Sequence, residues 1–183
     1  VFDIDEFVAD CTIAIKEAQP RLAVKELLER AMRHPDEVAR ALPATRAEVV
    51  PLYASEELTV MKVVWSPSMS FGPHNHRMWA AIGMYGGQED NTFYRRSGRG
   101  IVVSGGRELY AGDVALLGDD AIHAVVNPLR AFTGALHVYG GNLPARTDRS
   151  EWDLATQTET SFDFARVTRQ FEEANARGVE PAT

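Results

Sequence analysis

Cysteine is nearly absent from this chain. Cys11 is the single thiol in 183 residues, so no disulfide can close within it and no thiolate cluster can hold a metal. Any bound metal must rest on His, Asp or Glu. Long apolar runs are missing too: nothing approaches the roughly 18 residues that a membrane-spanning helix needs. Basic patches are also lacking. Lys and Arg number 19 against 26 Asp and Glu, for a net charge of -7. Nucleic acid and acidic membranes bind to basic stripes, so neither is expected as a partner. The first residues, Val1-Phe2-Asp3-Ile4-Asp5-Glu6, are acidic and lack the basic-then-apolar order of a signal peptide. With the lone cysteine, this leads to the expectation of a cytoplasmic protein. The first residue is not Met, and a few native residues are expected to be missing there.

What is present resembles an ordinary globular protein, 45% hydrophobic and 25% charged. The length suits one domain with a sizeable core. The expected division is a single domain over 1–183: a helical cover at 1–47, a β-barrel at 48–143, and a tail with a helix at 144–183. Phe7, Cys11, Ala14 and Ala18 recur at helical spacing, as do Val24, Leu27, Leu28 and Ala31 after Pro20. Pro35 suits the first turn of a short third helix. Near residue 48 the period changes. A β-rich run, Leu58 to Trp65, is followed by strand-like runs at 74–85, 91–96, 100–104, 107–109, 113–117, 121–127 and 131–139. Turns rich in Gly, Asp or Pro separate them, which argues for a β-sandwich or barrel. Phe164, Val167, Phe171 and Ala174 mark a last amphipathic helix, closed by Gly178.

Five histidines are distributed unevenly. His34 stands beside Pro35 and reads as a surface or helix-end residue. The other four fall in the β region. His74 and His76 are two apart, so on a strand they share a face and can grip one metal from adjacent positions. His123 and His137 lie on later β runs, and His123 is the candidate third ligand. Three neutral imidazoles leave a divalent metal its full charge and open positions for an anion and a second small molecule. Imidazole suits Zn, Cu, Fe and Ni alike, so ligand type leaves the metal open. Glu89 lies beyond the Gly86-Gly87 turn and reads as a turn charge rather than a ligand. Arg95 and Arg96 read as a solvated pair.

These motifs resemble those of the cupins. Gly72-Pro73-His74-Asn75-His76 with Gly86 is similar to the first cupin motif, and His123-Ala124-Val125-Val126-Asn127 to the end of the second. The usual first-motif Glu would fall near Ala80 or Ala81, where there is none. A three-His cupin without that Glu resembles the thiol dioxygenases, in particular the bacterial cysteine and 3-mercaptopropionate dioxygenase group. Trp65, nine residues before His74, and the stretch from Trp79 to Gly86 are similar to features of that group. So is Ala135-Leu136-His137-Val138-Tyr139-Gly140-Gly141-Asn142, which stands where the family carries a Ser-His-Tyr triad. The likeness covers about residues 50–146. It implies an all-β double-stranded β-helix (jelly-roll) with N-terminal helices and one C-terminal helix. It implies Fe(II) on His74, His76 and His123, and oxidation of a small thiol by O2 to a sulfinic acid. Tyr139 would then donate a hydrogen bond to bound ligands, and His137 would hold Tyr139. Arg146 would pair with a substrate carboxylate, and Trp79 would line the substrate pocket.

Three departures bear on the substrate. Ala135 replaces the triad Ser, no Cys follows His76 to form a thioether cross-link, and the carboxylate-binding Arg of the animal enzymes has no clear match at 46–53. Two alternatives therefore stand beside the first: another metal-dependent cupin enzyme, cleaving C–C bonds or isomerising, and a non-catalytic cupin that binds a small ligand. The expected partners are a small thiol and O2, with the chain a monomer or homodimer.

Overall fold

The computed structural model describes residues 1–98 and 100–177. Arg99, in an expected turn, and Gly178, expected to close the last helix, lie outside the described residues. The helices come first: α1 (Ile4–Ala14), α2 (Pro20–Met32) and α3 (Pro35–Ala41). The Asp3 carboxylate caps α1, accepting from the backbone N–H groups of Asp5 and Glu6 at 2.8 and 3.0 Å. Pro20 and Pro35 open α2 and α3, where a missing N–H costs nothing. His34 sits exposed at the N-cap of α3.

Eleven strands follow among the described residues: β1 (Glu48–Ala54), β2 (Thr59–Trp65), β3 (Ser70–Asn75), β4 (Ala80–Gly86), β5 (Gln88–Ser97), β6 (Gly100–Tyr110), β7 (Val114–Leu117), β8 (Ile122–Val126), β9 (Thr133–Tyr139), β10 (Ser150–Asp153) and β11 (Thr158–Ser161). Helix α4 (Phe164–Arg177) ends the described chain. One sheet has the order β1-β2-β9-β4-β7 and the other β11-β10-β3-β8-β5-β6, with antiparallel pairing throughout. Between β2 and β9 the chain distributes its strands as 2-9-4-7 and 3-8-5-6, the two interlocked Greek keys of a jelly roll. The expected all-β architecture is the one found, a double-stranded β-helix with helices at both ends.

Strands β2, β9 and β4 of the first sheet are buried on both faces. Leu58, Val60, Ala81, Leu136 and Val138 turn outward and pack under Phe7, Cys11, Val24, Leu28 and Val38 of the helices. Met61, Val63, Ile82, Ala135 and Tyr139 turn inward, toward the second sheet. Strand β9 is consequently buried at all seven positions, which is why its sequence reads as a nearly continuous apolar run. Burial raises the pKa of Cys11, beneath α2, to about 12, so its thiol is inert.

Several expected boundaries differ from the structure: no expected run covers β1, β3 and β5 begin earlier, at Ser70 and Gln88, and three further differences have local causes. The run at 74–85 is two strands, because the chain turns after His76. Arg77 takes a left-handed φ of 57° there, and the chain crosses to the other sheet. The runs at 100–104 and 107–109 are one strand, β6, in which Gly105 and Gly106 pair with Phe93 and Thr92 beside a register shift. These glycines serve a bulge rather than a turn. Finally, the expected tail after residue 143 contains the hairpin β10–β11, which extends the second sheet. No helix among the described residues is long and apolar enough to cross a membrane.

Candidate metal centre

Proline shapes the first half of the site. Pro73 has no N–H for a ladder bond, and the β3–β8 register shifts between Phe71 and His74. Beyond that irregularity His74 lies directly opposite His123 of β8. His76 follows just past the end of β3, two residues on and facing the same cavity. The three rings meet between the sheets, with centroids 4.6 to 5.1 Å apart. One ring nitrogen of each lies within 4.8 Å of the others, and among the described residues no Asp, Glu or Cys joins the group.

Nε2 of His74 and Nε2 of His76 are 3.2 Å apart. Neighbouring nitrogens each about 2.0–2.1 Å from a common metal sit about 3 Å apart, so the spacing fits an ion between them. Nε2 of His123 is buried and has no protein partner among the described residues. A buried polar atom without a partner is costly, and a metal would satisfy it. Burial, followed by the neighbouring His side chains, drives the pKa values of His74 and His76 well below normal. Burial and Arg149 lower that of His123 to about 4. All three rings are neutral at pH 7, the form that binds metal.

The outer nitrogens are held differently. Nδ1 of His74 faces the Gly72 carbonyl at 3.0 Å, and Nδ1 of His123 faces Oδ1 of Asn91 at 2.7 Å. Asn91 leads to Glu89. This residue is fully buried, its carboxylate accepting from Asn91 Nδ2 at 2.9 Å and from Trp65 Nε1 at 2.7 Å. It is neither a turn charge nor a ligand. Its carboxyl pKa is raised by burial against the opposing pull of those two donors. The period-2 pattern of Glu89, Asn91 and Phe93 on β5 was the available signal; the turn before it obscured it.

Tyr139 and His137 stand on the inward face of β9. The Tyr139 ring meets His76 edge-on at 5.0 Å, and its hydroxyl is 2.9 Å from His137 Nδ1. Burial pushes the Tyr139 phenol well above its ordinary pKa and lowers His137 to about 3. Both are therefore neutral. Nε2 of His137 is buried with no partner among the described residues, and Ala135, two residues earlier on this face, offers no hydroxyl.

The other two expected site residues lie elsewhere. Arg146 is exposed and forms a two-pronged pair with Asp148, at 2.6 and 3.2 Å. It is absent from the cavity wall, because β10 enters the sheet only afterwards. Trp79 lies against Gly140, where a Cβ would come within 2.1 Å of its indole nitrogen, and packs with the helix-side core. It too is outside the cavity. The cation that does reach the cavity is Arg149. It is buried, donates from Nε to the Asn75 carbonyl at 3.0 Å and lies 3.7 Å over the Phe162 ring. Asn75 Oδ1 also accepts from the Ser150 N–H at 2.8 Å. The residue between the two first-motif histidines thus anchors Arg149 and the start of β10, which follows it. Burial lowers the Arg149 pKa to about 10, so it keeps its charge at neutral pH.

The remaining walls are apolar: Trp65, Phe71 and Phe162, with Phe164, Val167 and Phe171 closing one side. Helix α4 is secured there by Asn175, bonded to both backbone groups of Ala47 at 2.7 and 2.8 Å, and by the Arg166–Glu151 ion pair. The cavity holds about 50 Å³. One water needs about 10–15 Å³ on such a measure, so the site suits ligands of a few heavy atoms.

No family model matches the chain. Several solved structures resemble part of the chain. An RmlC-like cupin family protein with a double-stranded β-helix fold from Methanocaldococcus jannaschii is 11% identical; the match covers 56% of this chain and 87% of that one at a TM-score of 0.47. A protein of Bacillus halodurans is 17% identical over 58% and 76% of the two chains, at 0.49. The DMSP lyase DddQ from Ruegeria pomeroyi is 18% identical over 55% and 50%, at 0.44. These are likenesses of fold.

Proposed function

We propose that this chain is an iron(II)-dependent dioxygenase that converts a small thiol bearing a carboxylate into its sulfinic acid. The observation that carries this reading is the all-imidazole donor set. Three neutral ligands leave the two positive charges of a divalent ion uncompensated, and buried Arg149 adds a third. A site of that charge in an apolar cavity favours a dianion, such as a thiolate with a carboxylate. Bound there, iron(II) would bring thiolate and dioxygen side by side and pass electrons from sulfur to oxygen.

The chain's own residues do the rest. The Arg149 guanidinium, held by Asn75 and Phe162, pairs with the substrate carboxylate and fixes the thiol end toward the histidines. His137, donating from Nδ1 to the Tyr139 oxygen, leaves the phenol hydrogen free to point at the reacting groups beside His76. The apolar walls exclude water from the sulfur. The reaction balances without a further reductant: RSH and O2 give RSO2H, sulfur losing four electrons and both oxygen atoms joining it.

The test is oxygen uptake by the iron-loaded protein with cysteine, 3-mercaptopropionate and cysteamine. The expected result is uptake with equimolar sulfinate, faster for the carboxylate-bearing thiols and abolished in His74→Ala. Iron-loaded protein that consumes no oxygen with any of the three contradicts the proposal.

A further inference from the structure

Glu89 is a buried carboxylate for which the proposed chemistry has no direct use. Its surroundings are unusual in being directional. The indole N–H of Trp65 only donates; Glu89 is taken as ionised, the state that its two donors favour and burial opposes, so that it only accepts. Glu89 therefore takes the Trp65 hydrogen at Oε2 and must take its second from the NH2 of Asn91, at 2.7 and 2.9 Å. That choice settles which way the Asn91 amide points, a matter that atom positions alone leave to the bonding network. Oδ1 of Asn91 then faces His123 Nδ1 at 2.7 Å. Because Oδ1 only accepts, the His123 proton sits on Nδ1 and the lone pair on Nε2, the atom that lacks a partner among the described residues.

We propose that Glu89, acting through Asn91, is a positioning residue that fixes the His123 tautomer and so presents Nε2 to the metal. The inference rests on the three-histidine metal reading. The other two ligands have no comparable device. Nδ1 of His74 is served by the Gly72 backbone carbonyl, and Nδ1 of His76 has no partner among the described residues. His123 is thus the ligand whose proton is set by side chains. Glu89→Gln keeps the shape but supplies an amide that can donate to Asn91. The Asn91 amide can then turn over, give its NH2 to Nδ1 and move the His123 proton to Nε2, where it blocks ligation.

The test uses the full chain labelled with 15N-histidine and freed of metal, in long-range 1H–15N spectra that distinguish the two neutral tautomers, followed by Co(II) titration. Wild type is expected to show His123 protonated on Nδ1. Glu89→Gln is expected to show a mixture or the Nε2–H form and to bind Co(II) about 10- to 100-fold more weakly, as loss of an outer partner of a ligand typically does. Asp90→Asn, which removes a charge from the same strand outside this chain of bonds, is expected to change neither. Wild-type His123 protonated on Nε2 overturns the inference even if the variant fails to fold. So does a folded Glu89→Gln with unchanged tautomer and affinity, which leaves the metal reading standing. A wild type that takes up neither Co(II) nor Fe(II), whatever its tautomer, overturns the metal reading and this inference with it.

Discussion

His137 carries an unmet demand, as His76 and His123 do. The His137 Nε2 is buried without a partner among the described residues while Nδ1 engages Tyr139, and the neighbouring position on that face is Ala135. Restoring a hydroxyl with Ala135→Ser is expected to raise stability by about 1 kcal/mol, the usual net value of a hydrogen bond, measured by chemical denaturation. A loss of stability would mean that the fully buried position has no room for the oxygen. Arg149 offers a second test. Lys at 149 keeps the charge but not the planar stack on Phe162 or the Nε bond to Asn75. Arg149→Lys is expected to raise KM for a carboxylated thiol about ten- to a hundredfold, the worth of a hydrogen bond to a charged group at about 1.5–3 kcal/mol. Arg146→Ala, on the surface, is expected to leave KM unchanged. The three clustered histidines were legible because an alternating pair and a third histidine on a later β run stand out in the sequence. Arg149 was not, since it reaches the cavity only through pairing of β10 with β3, across more than seventy residues of chain. Arg146, nearer to the Tyr139-Gly140-Gly141-Asn142 motif, lies exposed in the segment before β10 and pairs with Asp148.

Among the elements, those buried on two faces were read best and those on edges worst. β9 and β2 stand out as apolar runs because helices cover one side and the second sheet the other. The exposed Thr158-Glu159-Thr160-Ser161 strand carries no such pattern; it exists because β10 supplies a partner for its backbone. Glycine misled at 105–106, where it marks a bulge, and read correctly at the β4–β5 turn. There Gly87 has φ 75°, and an added Cβ would lie 2.7 Å from Thr133 Oγ1. Gly87→Ala is expected to destabilise the fold by about 1–3 kcal/mol through backbone strain alone, with the steric contact adding to it. A melting temperature equal to that of wild type would show that the turn relaxes into another form.

At the scale of the whole molecule, the cost of the site is a dependence on pH. His123 and His137 take up protons at about 4 and about 3 in the fold, against about 6.5 in an unfolded chain. His74 and His76 shift in the same direction. As pH falls below about 6.5 the unfolded state binds protons first, so stability is lost from there down through the folded values. Each histidine held neutral costs about 1.4 kcal/mol per pH unit in that window. The metal-free protein is expected to show a steep fall in its denaturation midpoint between pH 6.5 and 4. A flat profile would contradict four buried neutral rings.

The claim beneath all of this is that three imidazoles, unaided by any carboxylate, hold one ferrous ion between the sheets. Anaerobic titration of metal-free protein with Fe(II), followed by X-ray absorption of the product, tests it most directly. The expected result is a single ion per chain with three histidine nitrogens in its inner sphere, and no uptake by His123→Ala. Failure to bind a stoichiometric ion, or an inner sphere containing a protein carboxylate, would contradict it.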